Sequence, residues 1–284
     1  MEPERPSRTA LGAARHRAAH QVLEGGVVFT DPLALRILGP DGEEAVRKAA
    51  RDPSRRLMRL FIAVRTRFAE DALAVAVAGG VRQLVVLGAG LDTYAYRCPF
   101  VDTLRIFEVD HPATQAWKRR LLADAAIPVP PTLTFAPVDF ERGSLADGLS
   151  AGGFDSSRQT FFTWLGVVPY LTEQAVYETL GFVASLRGGS QVVFDYGNPP
   201  AAAPEGDPYH AAAAKELAAR VAALGEAFRS HFETDALHLR MRGLGFRDIE
   251  DLGPAAIRER YFPGVGGRVS DRGGHVVRAA TAGR

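Results

Sequence analysis

The sequence predicts an α/β protein built on an open, mostly parallel sheet that binds a nucleotide-type ligand. Three observations predict it. Leu84-Val85-Val86-Leu87 is a short apolar run with β-branched residues that stops at Gly88-Ala89-Gly90. A second run, Leu104-Arg105-Ile106-Phe107, ends in the carboxylates of Glu108-Val109-Asp110, about twenty residues beyond the glycines. The eighty or so residues ahead of these runs carry apolar positions at helical spacing. A buried strand, a glycine turn, a crossover helix and a strand ending in an acid make half of a nucleotide-binding sheet. Gly88 and Gly90 let the backbone come close to a ligand where a Cβ would block it. Glu108 and Asp110 can accept ribose hydroxyl hydrogen bonds.

The turn also narrows the ligand. A dinucleotide fingerprint has a third glycine, and here that place holds Thr93. No compact helix start follows to receive a pyrophosphate. Gly88-Ala89-Gly90-Leu91-Asp92 suits a nucleoside without phosphates, of which S-adenosyl-L-methionine is the common one, and disfavours a nicotinamide-dependent dehydrogenase.

In chain order, residues 1–80 read as a helical layer. Ser7 caps a helix over 8–21, Gly25-Gly26 break it, and Asp31-Pro32 starts another over 33–38. A third spans 53–78, where Leu57, Leu60, Phe61, Val64, Phe68, Ala72 and Val75 recur at helical spacing. Past the core stretch, a helix covers 113–126, a strand 132–137, a fourth strand 160–165 and a helix 173–187. A fifth strand covers 191–195, and a Pro- and Ala-rich loop opens at 198. A helix over 209–228, a short helix over 237–242, a strand around 248–251 and a last strand over 275–280 complete the chain. Residues 81–284 then form one unit, with a helical insertion at about 198–235.

Leu87 to Thr93 (LGAGLDT), Tyr96 to Pro99 (YRCP) and Phe107 to Pro112 (FEVDHP) resemble the leucine carboxyl methyltransferase family, in particular its bacterial small-molecule branch. SRTALGAARHRAAHQ from Ser7, FTDPLALRIL from Phe29, AVRTRFAED from Ala63 and RERYF from Arg258 extend the likeness along nearly the whole chain. The resemblance implies a class I S-adenosylmethionine-dependent methyltransferase fold: a Rossmann-like, mostly parallel seven-stranded sheet with an antiparallel last strand, under a helical N-terminal cap. It implies that Arg65, rather than Arg67, pairs with the methionine carboxylate of the cofactor, a role that suits a bidentate guanidinium that keeps its charge when desolvated. It implies adenine contacts from Asp139 and Phe140 after the third strand, and places Tyr170 near the acceptor. It implies that 81–284 is the cofactor-binding catalytic domain, with the 198–235 insertion over the acceptor site, and S-adenosyl-L-homocysteine as the product. The chain departs from the family at one place. The family carries a cofactor-contacting glutamate after the tryptophan of the fourth strand, and here Trp164-Leu165-Gly166 has leucine. Three readings follow: weaker binding, another acid in its place, or loss of methyl transfer.

The remaining composition excludes other classes. The 284 residues carry a net charge of +1, which argues for neither nucleic acid nor an anionic membrane as a partner. No apolar run reaches spanning length and the N-terminus lacks a signal-peptide core, so the expectation is a cytoplasmic protein. Cys98 is the only cysteine, so no internal disulfide forms. None of the seven histidines, His16 and His20 included, lies in a metal-ligand spacing, and no metal is expected. There is no G-x-S-x-G elbow and no phosphate-binding loop. The expected function is transfer of methyl to the oxygen of a small-molecule carboxylate or hydroxyl in secondary metabolism. The alternative is a homologue that holds the cofactor without transferring methyl. A homodimer is compatible with the sequence.

Overall fold

The structure is a computed structural model that describes residues 7–139, 143–199, 228–264 and 270–282. Its centre is a seven-stranded sheet in the order β3-β2-β1-β4-β5-β7-β6. The strands are β1 (Gln83–Leu87), β2 (Arg105–Asp110), β3 (Leu133–Pro137), β4 (Thr160–Trp164), β5 (Ser190–Gly197), β6 (Phe246–Leu252) and β7 (Gly274–Thr281). The first five run parallel, and β7 inserts antiparallel between β5 and β6. This is the class I methyltransferase fold.

Alternation along the strands sorts the core into two layers. Leu84 and Val86 of β1, Ile106 of β2 and Val193 of β5 face a cluster built on α3 (Arg56–Ala78). Val85 and Leu87, Phe107 and Val109, and Phe194 face the other way, onto α5 (Leu145–Ala151), α6 (Glu173–Ser185) and α7 (Thr234–Leu244). Both faces of the sheet are therefore covered, which is why β1 is buried at every position. A third cluster joins α1 (Arg8–Leu23) to α4 (Pro112–Asp124) through Ala14, Ala18, Leu91 and Leu122. Leu91 belongs to the glycine turn, so the N-terminal layer packs directly on it.

Several expected elements differ. The segment between Gly90 and Leu104 holds no crossover helix, only a 3-10 turn over Tyr94–Tyr96. It is too short for a helix and two loops, and α3 covers the sheet there instead, together with Tyr94, Ala95 and Cys98 of the segment itself. The helix expected at 33–38 is a pair of turns closing on a 3-10 turn, Arg36–Leu38, because Gly39 at φ +55 breaks the run. Pro40 then starts a helix that the periodicity did not indicate, α2 (Pro40–Arg51), and α8 (Pro254–Tyr261) is a second such helix. The helix expected at 209–228 lies, apart from Phe228, outside the described residues.

Candidate functional site

The carboxyl ends of β1, β2, β4 and β5 meet at one rim of the sheet, and the residues singled out above gather there. Gly88 and Gly90 adopt φ of +64 and +44, the left-handed region that favours glycine. The turn is pinned to β2, since Gly88 and Ala89 both donate to the Val109 carbonyl, at 2.8 and 3.1 Å. Asp110 closes the arrangement. Its Oδ2 accepts from the Gly90 N–H at 2.5 Å and its Oδ1 from the His111 N–H at 2.7 Å. Burial pushes the Asp110 carboxyl above its ordinary range, and these backbone bonds oppose the shift.

Glu108 lies two residues back on the same face of β2 and meets a different environment. Its Oε2 pairs with Lys118 Nζ at 2.8 Å, and both side chains are 1% exposed. Oε1 has no hydrogen-bond partner among the described residues. Burial raises the Glu108 carboxyl to about 7, against the pull of Lys118. Asp110 therefore reaches the turn and Glu108 stops beneath it. Asp139 follows β3 next to the β2 tip, where Val138 N–H donates to the Asp110 carbonyl at 2.9 Å. Phe140 lies outside the described residues.

Arg65 projects from α3 to the ends of β4 and β5. Its Nη1 donates to Asp195 Oδ2 at 2.7 Å, with the two side chains 11% and 5% exposed. Asp195 Oδ1 accepts from the Gly166 N–H at 2.5 Å. Gly166, at φ +71, makes room for the guanidinium: a Cβ there would lie 2.5 Å from Arg65 Nη2. Arg67 points elsewhere and pairs with Asp71 on the exposed side of the helix at 2.8 Å. Leu165 packs on the α3 side and lines a cavity of about 20 Å³ with Thr66, Glu70, Asp92, Tyr94 and Thr163. A glutamate at 165 would add a third carboxylate to that small space, beside Glu70 and Asp92. Tyr170 sits in a 3-10 turn just after β4, its ring 5.4 Å from that of Phe228.

A network that the sequence pattern did not reveal ties the N-terminal layer to the turn. Arg17 Nη2 donates to the Leu91 carbonyl at 2.5 Å. Asp31 Oδ1 caps Leu33 N–H at 3.0 Å, as a residue before proline can, while its Oδ2 accepts from Thr93 Oγ1 at 2.7 Å. Arg97 joins the same cluster through Thr93 Oγ1 and Glu70. The only signal in the sequence was Asp31 in an otherwise apolar stretch, while Arg17 stands among Arg15, His16 and His20, and nothing local names their partners. Asp195 was missed for the same reason, being 130 positions from Arg65.

These groups fit a nucleoside with an amino-acid tail. Asp110 offers carboxylate lone pairs at the glycine turn, and Arg65 holds a buried Nε with no hydrogen-bond partner among the described residues. The profile of the family described as "Leucine carboxyl methyltransferase" matches residues 10–184, a span that contains most of α1, the glycine turn and the β4 end. The chain belongs to the leucine carboxyl methyltransferase family, and so to the S-adenosylmethionine-dependent methyltransferases. Among relatives in this family is YktD of Bacillus subtilis, named provisionally as an S-adenosyl-L-methionine-dependent methyltransferase. It is 29% identical over 292 residues, covering 92% of this chain and 93% of its own length. The Streptomyces coelicolor protein SCO7813, named in the same way, is 37% identical over 62% of this chain and 63% of its own. In fold, the chain resembles a Bordetella parapertussis protein described as a possible exported protein, with a TM-score of 0.51 and 15% identity over 98% and 97% of the two chains. A DUF574 family protein from Streptomyces avermitilis gives a TM-score of 0.51 and 18% identity over 94% and 97%.

Proposed function

We propose that this methyltransferase acts on an oxygen of a small-molecule carboxylate or hydroxyl, in cytoplasmic secondary metabolism. The observation that carries the reading is the shared rim. Asp110 and the Gly88–Gly90 turn lie at one end of it, the Arg65–Asp195 pair at the other, and Tyr170 and Phe228 stand beside the β4 end. In this reading Asp110 holds the ribose, Asp139 the adenine edge and Arg65 the amino-acid carboxylate.

Bound S-adenosylmethionine supplies an already activated methyl group, so the protein's task is alignment and exclusion of water. Asp110, fixed by two backbone N–H bonds, presents its remaining lone pairs in one direction. Arg65, held flat over Gly166, presents a charged donor with little freedom left to lose. A carboxylate acceptor needs no base, whereas a hydroxyl acceptor needs a nearby group to take its proton. The decisive test is calorimetric titration with S-adenosylmethionine and S-adenosylhomocysteine, followed by transfer of labelled methyl to a panel of aromatic and aliphatic carboxylates and phenols. Micromolar binding that collapses in Arg65→Ala, together with a methylated product, supports the reading.

Leu165 favours a second reading, a homologue that holds the cofactor without using it. Binding alone fits both. Tight binding with no label entering any acceptor would favour the second.

A further inference from the structure

We infer that Asp195 is the residue that receives the ammonium group of the ligand's amino-acid end, so that Arg65 and Asp195 together form a zwitterion site. The inference rests on the cofactor assignment proposed above. The pair sits at the carboxyl ends of β4 and β5, on the α3 side of the sheet, and is nearly buried. The pair leaves binding capacity unused at the rim. Here Arg65 Nη1 is engaged by Asp195, while Nε is buried without a partner among the described residues. A buried donor left unmade is costly, and a ligand carboxylate would satisfy it.

Asp195 has matching capacity. Each of its oxygens accepts one bond, from Arg65 Nη1 and from Gly166 N–H, and each keeps a second lone pair. In an α-amino acid the carboxylate and the ammonium are separated by a single carbon. A guanidinium and a carboxylate 2.7 Å apart present the complementary charges at a similar spacing. Gly166 adds an independent sign of a built site. Its left-handed backbone both directs an N–H at Asp195 and clears the space occupied by the guanidinium. Asp195 then supplies the acid that position 165 lacks.

The test compares three ligands by calorimetry. S-adenosylhomocysteine carries both charges. Its deamino analogue keeps the carboxylate and loses the ammonium. 5′-Methylthioadenosine lacks the whole amino-acid end. The wild-type protein should bind S-adenosylhomocysteine at least roughly tenfold more tightly than the deamino analogue. In Asp195→Asn, S-adenosylhomocysteine should weaken by about tenfold while the deamino analogue and methylthioadenosine hold or improve. Equal weakening of S-adenosylhomocysteine and the deamino analogue would overturn the inference, because Asp195 would then act only by orienting Arg65. Unchanged affinities in the variant would overturn it as well. If the variant does not fold, the wild-type comparison decides alone, and equal affinity for the first two ligands sinks the idea. Failure of the wild-type protein to bind any adenosyl ligand would instead remove the cofactor assignment, and this inference with it.

Discussion

Gly88 is the residue at which the turn is least tolerant of change. Its φ is +64, and an added Cβ would stand 2.3 Å from Val167 Cγ2. Val167 is β-branched and follows β4 directly, so it has little room to withdraw. Gly88→Ala should therefore cost about 1–3 kcal/mol in chemical unfolding and weaken cofactor binding. A residue with a different signature is His16. Burial, and then the charges of Arg55, Arg59 and Arg65, lower its pKa from 6.5 to about 4. The sign follows from proton uptake: between pH 6.5 and 4 the unfolded chain gains a proton at this position that the folded chain refuses. Stability present above pH 6.5 is lost as pH falls toward 4, by on the order of 3 kcal/mol at most. His16→Phe should flatten that limb of a stability–pH curve, and an unaltered limb would show that other groups cause it. The two residues also mark what was legible at this scale. Gly88, Gly90 and Asp110 stand in one local motif and could be found by spacing. Asp195 reads as an ordinary strand residue, and only its alternation with Val193 hints that it faces α3.

The elements show where pattern reading succeeds and where packing overrides it. The central strands β1, β4 and β5 are visible as apolar runs between turn residues, because burial on both faces demands such runs, whereas the edge strand β6, with charged residues at four of its seven positions, shows no such run. The crossover helix was expected because parallel strands need a covering connection. The covering is present, but α3 provides it from earlier in the chain. The pair at Glu108 and Lys118 makes the dependence of β2 on α4 measurable. Lys118→Met would leave a buried carboxylate without its cation, at about 3–5 kcal/mol near pH 8. Removing the cation lets the carboxyl rise further and bind a proton, so the loss should shrink as pH is lowered through about 7. Adding Glu108→Gln should recover much of it. Urea unfolding at two pH values reads all three outcomes. Contact between the N-terminal layer and the turn is equally exposed to test. Asp31→Ala removes acceptors from both Leu33 N–H and Thr93 Oγ1 and leaves Arg97 with one fewer carboxylate nearby. It should lower thermal stability and adenosyl-ligand affinity together.

For the whole molecule, the N-terminal layer and the sheet share clusters and buried polar contacts, so they are expected to unfold as one unit. Ligand binding should then stabilise the entire transition. At a free ligand concentration a hundred times the dissociation constant, linkage gives about 2.7 kcal/mol and a rise of about 5 °C in Tm. Among the described residues no helix is long and apolar enough to cross a membrane, and no group of three His, Cys, Asp or Glu side chains is placed to hold a metal.

Asp251 anchors a buried cluster at the same end of the sheet, on the face opposite Arg65. Its Oδ1 meets His275 Nδ1 at 2.8 Å, and its Oδ2 accepts from Tyr196 Oη at 2.7 Å and meets His238 Nε2 at 2.8 Å. Burial acts to raise this carboxyl, but the bonds from His275, Tyr196 and His238 hold it below its usual range. Asn198 joins through His275 Nε2 and the Phe232 carbonyl, and Ser230 Oγ donates to the Val168 carbonyl. The chain is thus held at Asn198 and at Ser230, on both sides of residues 200–227. With the acceptor site expected under the 198–235 insertion, we propose that the segment is an exchangeable cassette. Transplanting the corresponding stretch from a relative, joined at Asn198 and Ser230, should carry the donor's acceptor preference into this scaffold and leave its affinity for adenosyl ligands as it was. Diversification of substrates in such a lineage would then proceed by swapping one stretch of chain, without renegotiating the cofactor site.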